Sequence, residues 1–107
     1  MMVGCSRHDK WLQPVKWKKD LTQVDKAVNL YEEGLKLETD GDTAGAMVKY
    51  EDSIKLSPRP VTYYRLGRLE SEKGNTDKAI ELLKKAVELS PGYEDAQLLL
   101  NRLQSAK

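Results

Sequence analysis

The chain is poor in the residues that staple a fold or carry out chemistry. Its 107 residues include one cysteine, one histidine and no phenylalanine. A single cysteine excludes an internal disulfide framework, so stability has to come from packing. Cys5 and His8 have no third or fourth ligand beside them, which excludes a complete metal set. They also lack the orienting third group that a Cys–His nucleophile pair requires. No glycine-rich loop has the spacing that cradles phosphate; Gly41 and Gly74 read as turn residues. The scattered Asp and Glu residues read as solvating helix charges rather than an acid/base pair. No apolar run approaches the roughly 18–20 residues of a helical membrane span, so a soluble chain is expected. Neither catalysis nor a cofactor is expected.

Charge is present in quantity but unevenly placed. The net charge is +1, yet residues 1–20 hold five of the 18 basic residues and only two of the 17 acidic ones. Both tryptophans, the only His and the only Cys lie in that stretch. Pro14 interrupts any helix there, because its ring clashes with the preceding turn and it donates no hydrogen bond. Residues 1–20 therefore read as a flexible arm or tether, and 21–107 as one folded unit. Within the arm, KWLQPVKWKK has the composition that suits an anionic membrane surface or a nucleic-acid backbone. Five cations make a small electrostatic footprint, and Pro14 prevents a continuous amphipathic helix. The favoured reading is an arm whose Trp side chains dock on the folded unit, with no nucleic-acid partner.

The folded unit repeats itself. Sliding the chain by 33 residues aligns 27–58 with 60–91. Val28/Val61, Tyr31/Tyr64, Gly34/Gly67, Gly41/Gly74, Thr43/Thr76, Ala46/Ala79, Leu56/Leu89, Ser57/Ser90 and Pro58/Pro91 are then identical pairs. A period near 34 marks stacked helical hairpins. In the second copy Pro60 suits a first helical position, and Tyr63, Leu66, Gly67 and Glu70 recur at helical spacing. Gly74 is a natural helix stop, and Asn75, Thr76 and Asp77 are expected to cap the next helix through their side chains. Ala79, Ile80, Leu83, Ala86 and Val87 make the following buried stripe, ended by Ser90-Pro91. Small Gly67, Ala79 and Ala86 let two antiparallel helices approach closely, whereas Lys78 is expected on the outer face, away from packing. Asp20 with Gln23 has the form of a capping box that starts the first helix.

The pattern resembles the tetratricopeptide repeat on Tyr63, Leu66-Gly67, Gly74, Ala79, Leu83, Ala86 and Pro91. The first copy departs from it, with Glu33 where the family has Leu and Ser53 where it has Ala. The resemblance implies an all-α, right-handed stack of antiparallel helical hairpins. Its repeats fall at about 27–59 and 60–93, and a capping helix at about 94–105 (EDAQLLLNRLQS). Each hairpin is written twice because it buries its open face against a copy of itself.

The resemblance also implies a concave groove lined by the first helix of each hairpin, binding a peptide or partner segment. Positions facing it are Tyr31 and Leu35, with Glu38, in the first copy, then Tyr64 and Arg68, with Ser71, in the second. The closing helix adds Leu98 and Arg102. Tyrosines bury area at low entropy cost and arginine grips carboxylates, so a protein or peptide partner is expected. Tyr31, Leu35 and Arg65 stand where chaperone-binding members place their carboxylate-clamping Lys and Asn residues, so heat-shock chaperone tails are not expected as ligands. The alternative is a structural self-association domain, a homo-oligomer whose groove is filled by its own arm or by another copy. Two repeats are few for a stable stack, and self-association is one source of support.

The opening MMVGCSR resembles the end of a bacterial lipoprotein signal peptide, with Cys5 as the lipidated residue. Two expectations follow. The chain is cytoplasmic if complete as given; alternatively it is a lipoprotein facing the periplasm, with the membrane reached only through a lipid anchor on Cys5.

Overall fold

A computed structural model describes residues 16–106, with side chains from Thr22 onward. The arm residues Cys5, His8, Trp11 and Pro14, and the side chain of Trp17, lie outside the described residues. Five helices follow one another: α1 (Lys16–Thr39), α2 (Thr43–Leu56), α3 (Pro60–Glu72), α4 (Thr76–Leu89) and α5 (Glu94–Ala106). The described residues contain no strand. The fold is all-α: α1 pairs with α2 and α3 with α4 as two hairpins, α2 packs on α3, and α5 closes the stack against α4 and α3. Helical backbone starts at Lys16 rather than at Asp20, so the expected arm and the first helix overlap. Among the described residues, no helix is long and apolar enough to cross a membrane.

The two hairpin turns are built alike because a glycine ends each first helix in the left-handed region. Gly41 and Gly74 both have φ 92°. At the first turn Gly41 N–H donates to Glu38 C=O (3.0 Å) and Asp42 N–H to Leu37 C=O (2.8 Å). At the second, Gly74 N–H donates to Ser71 C=O (3.1 Å) and Asn75 N–H to Glu70 C=O (2.9 Å). This paired closure satisfies carbonyls that a helix end would otherwise leave open. Pro60 opens α3 as expected, since its missing N–H falls where no intrahelical partner exists.

Two connected clusters form the core. One joins the first hairpin to α3 through Ala46, Met47, Tyr50, Leu66 and Leu69, with Tyr31, Leu35 and Ile54 packed against it. The other joins α3 and α4 to α5 through Leu83, Ala86 and Ala96, with Tyr63, Tyr64, Leu99 and Leu103 alongside. Burying Leu66 and Leu83 contributes about 1.5–3 kcal/mol each. Close helix approach rests on the small residues. A Cβ built on Gly67 would lie 3.0 Å from Leu83 Cγ, and one on Gly34 only 2.5 Å from Tyr50 Cε1. Ala46 and Ala79 are fully buried between the helices of their hairpins.

The two departures of the first copy have separate explanations. Ser53 is fully buried, and its Oγ donates to Ala27 C=O at 2.6 Å, tying α2 to α1. Glu33, where the repeat pattern has Leu, stays at the surface and pairs with Lys49 at 2.9 Å.

Two expectations need correction. Asn75 does not cap α4 with its side chain; its Nδ2 donates instead to Glu70 Oε1 at 2.8 Å. Glu70 is 2 % exposed, and its other oxygen meets Lys78 Nζ at 3.0 Å. Lys78 is therefore no idle outer residue: it holds a buried carboxylate and also reaches Glu51 on α2 at 3.5 Å. Burial alone would raise the Glu70 pKa, but the Asn75 amide and the Lys78 ammonium outweigh it. They hold the carboxyl below its usual range. Buried charge requires such partners, and here both come from the start of α4, across the turn from Glu70.

Candidate functional site

A cleft of ≈ 360 Å3 opens between α3 and α5, lined by Tyr64, Arg68, Ser71, Glu72, Asp95, Leu98, Leu99 and Arg102. The α3 side is a helical stripe: Tyr64, Arg68, Ser71 and Glu72 recur at spacings of four, three and one. The α5 side recurs likewise at Asp95, Leu98, Leu99 and Arg102, so each wall is one helix face. Tyr64 stands against Tyr93, with ring centroids 5.4 Å apart and planes tilted by 46°. Such tilted aromatic pairs fix ring orientation, which keeps the Tyr64 wall rigid. Burial and the neighbouring Tyr64 push the Tyr93 phenol above its ordinary pKa.

Four of the six expected groove residues meet in this cleft: Tyr64, Arg68, Leu98 and Arg102. The other two do not line it. Tyr31 tilts against Tyr50 at 5.7 Å, beneath the Arg59 guanidinium at 5.6 Å from its ring centre. Leu35 packs on the core of the first hairpin. Both are committed to packing on the cluster that contains Tyr50, a large ring where the second copy has Leu83.

The two arginines of the cleft differ sharply. Arg68 Nη2 donates to Glu38 Oε2 at 2.5 Å, and its Nε lies 3.9 Å from Glu72. Glu38 also accepts from Tyr50 Oη at 2.5 Å. First by burial and then by this hydrogen bond, the Tyr50 phenol is pushed well above its ordinary range and stays protonated. Arg68 is thus one end of a Tyr50–Glu38–Arg68 chain that crosses from the first hairpin to the second. Arg102 is exposed, and its side chain has no hydrogen bond or ion pair with any described residue. Leu98 is 63 % exposed, the most exposed of the large hydrophobic side chains among the described residues. Asp95 and Leu99 belong to the site and were missed in the sequence. Their spacing from Leu98 and Arg102 carried the signal, because positions i, i+3, i+4 and i+7 share a helix face.

A second cleft, of ≈ 380 Å3, lies where α2, α3 and α4 meet, lined by Glu51, Ile54, Lys55, Tyr63, Leu66, Lys78 and Leu82. Its rim holds the Lys78–Glu51 pair, so its polar groups serve the joint between repeats. Among the described residues, no three His, Cys, Asp or Glu side chains gather to hold a metal ion.

Residues 61–93 match the family model of the tetratricopeptide repeat. Over 54 residues the chain is 41% identical to the BBSome complex member BBS4 of Mus musculus, covering 50% of this chain and 10% of that protein. Over 65 residues it is 32% identical to the photosystem I assembly protein Ycf3 of Synechococcus sp. (strain WH7803), covering 57% of this chain and 38% of that one. The chain therefore spans well under half the length of these curated relatives.

Proposed function

We propose that this chain, a tetratricopeptide-repeat protein, is a non-catalytic interaction module that captures a segment of a partner protein in the cleft between α3 and α5. Repeats of this family mediate contacts between proteins, and one relative bears the name of an assembly protein. The observation that carries the reading is the meeting of Tyr64, Leu98 and Arg102 in one cleft. Tyr64 supplies a rigid apolar wall and Leu98 an apolar area without a partner in the fold. Arg102 supplies a guanidinium free to take a carboxylate in two hydrogen bonds. Arg68 shapes the wall, but its charge is already taken by Glu38. A fitting segment presents an apolar side chain beside an acidic one.

The test is a selection of random peptides displayed on phage, against the immobilised chain, followed by affinity measurements on the selected peptides. Selected sequences should pair an apolar residue with Asp or Glu. Leu98→Ala combined with Arg102→Glu should weaken them more than about tenfold, since one charge-assisted contact alone is worth about 1.5–3 kcal/mol. Lys84→Glu with Lys85→Glu, both exposed on α4, should leave affinity within about twofold at physiological salt, where remote charges are screened. Equal losses in the two double variants would assign the effect to net charge and overturn the site.

A further inference from the structure

The cleft-facing side of α5, whose Leu98 and Arg102 the peptide reading uses, carries a further pattern. Asp95, Leu98, Leu99 and Arg102 share one face along the cleft. Neither Asp95 nor Arg102 has an ion-pair partner among the described residues. Asp95 precedes Leu98 by three residues, and Arg102 follows Leu99 by three. The pattern is therefore symmetric about the midpoint between Leu98 and Leu99, with the two charges of opposite sign. From Asp95 to Arg102 the helix rises about 10.5 Å.

We infer that this face of α5 pairs antiparallel with the same face of a second copy of the chain, forming a two-fold dimer over the cleft. A two-fold axis between Leu98 and Leu99 sets Asp95 of each copy against Arg102 of the other. It sets the exposed Leu98 of each copy against the accessible part of the half-buried Leu99 of the other, whose remaining surface packs on its own core. All four positions are then matched twice over, which is the requirement of an isologous interface. A face bearing two like charges around the same leucines would repel its own copy. Charge complementarity thus selects a second copy as the occupant of this face. The interface is small, one helix face with a leucine pair at its centre, so association is weak and reversible. It covers the same cleft that a partner peptide would enter, and the two events compete. The pairing stands on the symmetry of α5 alone, whether or not the cleft takes a peptide.

Sedimentation equilibrium of the full chain under reducing conditions tests it, the reductant removing any link through the single cysteine. The mass of the wild-type chain should rise from 12.2 kDa toward twice that value at about 0.1–1 mM, the range of a small transient interface. Asp95→Arg alone and Arg102→Asp alone each set like charges face to face. Each should shift the association midpoint upward by more than about tenfold. An equimolar mixture of the two variants should associate again, because every facing pair is then opposite in sign. The double variant Asp95→Arg with Arg102→Asp should associate like the wild type. A wild type that stays at 12.2 kDa over the whole range overturns the inference. So do single variants that associate as well as the wild type, or a mixture no better than its components.

Discussion

The two hairpins of this chain share a backbone and differ in what holds it. Both end their first helix on a glycine at φ 92° with the same pair of closing hydrogen bonds. In the first hairpin the space between helices is filled by the Tyr50 ring, the turn is capped by Asp42 accepting from Gly45 N–H at 2.9 Å, and Ser53 bonds across to Ala27. In the second, Leu83 and Ala86 replace Tyr50 and Ser53, and Glu70 is buried where the first copy has Leu37. Asn75, which stands where Asp42 caps the first copy, and Lys78 are both drawn to that carboxylate instead. Shared residues set the backbone path, and unshared ones decide which polar groups end up inside. A repeat can therefore change its internal chemistry without changing its shape, provided the turn glycine and the small interhelical residues stay.

The widest difference concerns the interhelical glycines. Gly34→Ala brings a methyl group to 2.5 Å from a fully buried tyrosine ring. Overpacking of that kind costs about 1–3 kcal/mol, of which the better helix propensity of Ala returns up to about 1. Gly67→Ala meets the fully buried Leu83 at Cγ, 3.0 Å away, and needs a shift of only a few tenths of an ångström, so crowding is milder there and propensity offsets more of it. A thermal melt followed by circular dichroism should drop by several degrees for Gly34→Ala and by little for Gly67→Ala. Equal drops would mean that Tyr50 and Leu83 yield alike.

The second difference is the buried carboxylate. Lys78→Leu removes the cation from Glu70 and should lower stability by about 1–2 kcal/mol at neutral pH, since a buried acceptor loses a charged partner that was itself half in water. Glu70→Leu copies the first hairpin and should stay within about 1 kcal/mol of the parent, as replacing a buried ion pair by an apolar group often does. The sign of the pH effect follows from the depressed Glu70 pKa. Its contribution is complete above the ordinary value of 4.5 and is lost as pH falls below it. Melts between pH 6 and pH 3 should show a steeper loss in the parent than in Glu70→Leu. Parallel curves would remove Glu70 from the account.

Much of this was legible in the sequence, and the gaps have a common origin. The 33-residue offset located both hairpins, the Pro60 start and the turn glycines, because these are local requirements of backbone geometry. The resemblance to the tetratricopeptide repeat put Tyr64, Arg68, Leu98 and Arg102 on one concave face, and the structure brings them into one cleft. The same resemblance put Tyr31 and Leu35 on the corresponding face of α1, where Tyr31 packs with the Tyr50 ring and Arg59, and Leu35 packs on the first core cluster instead. Lys78 was misread because a single helix shows which way a residue points but not what stands opposite. Its partners come from α2 and α3. Arg68 was read as a ligand cation for the same reason, since Glu38 lies 30 residues away on another helix. Periodicity gives faces; cross-helix polar pairs need the distances.

The smallest expected effect tests the polar tie of the first hairpin. Ser53 sits where the second hairpin has Ala86, and both positions are fully buried. Ser53→Ala removes one hydroxyl and leaves almost no cavity, so the change isolates the 2.6 Å bond to Ala27 C=O. A buried neutral hydrogen bond contributes about 0.5–1.5 kcal/mol net, and a shift of a few degrees in the melt is expected. The carbonyl of Ala27 lies within α1, where the backbone N–H of the following turn also donates to it, which places the loss toward the lower end of that range. An unchanged midpoint would mean that the hydroxyl only offsets its own desolvation. The first hairpin would then be held, like the second, by packing at this position alone.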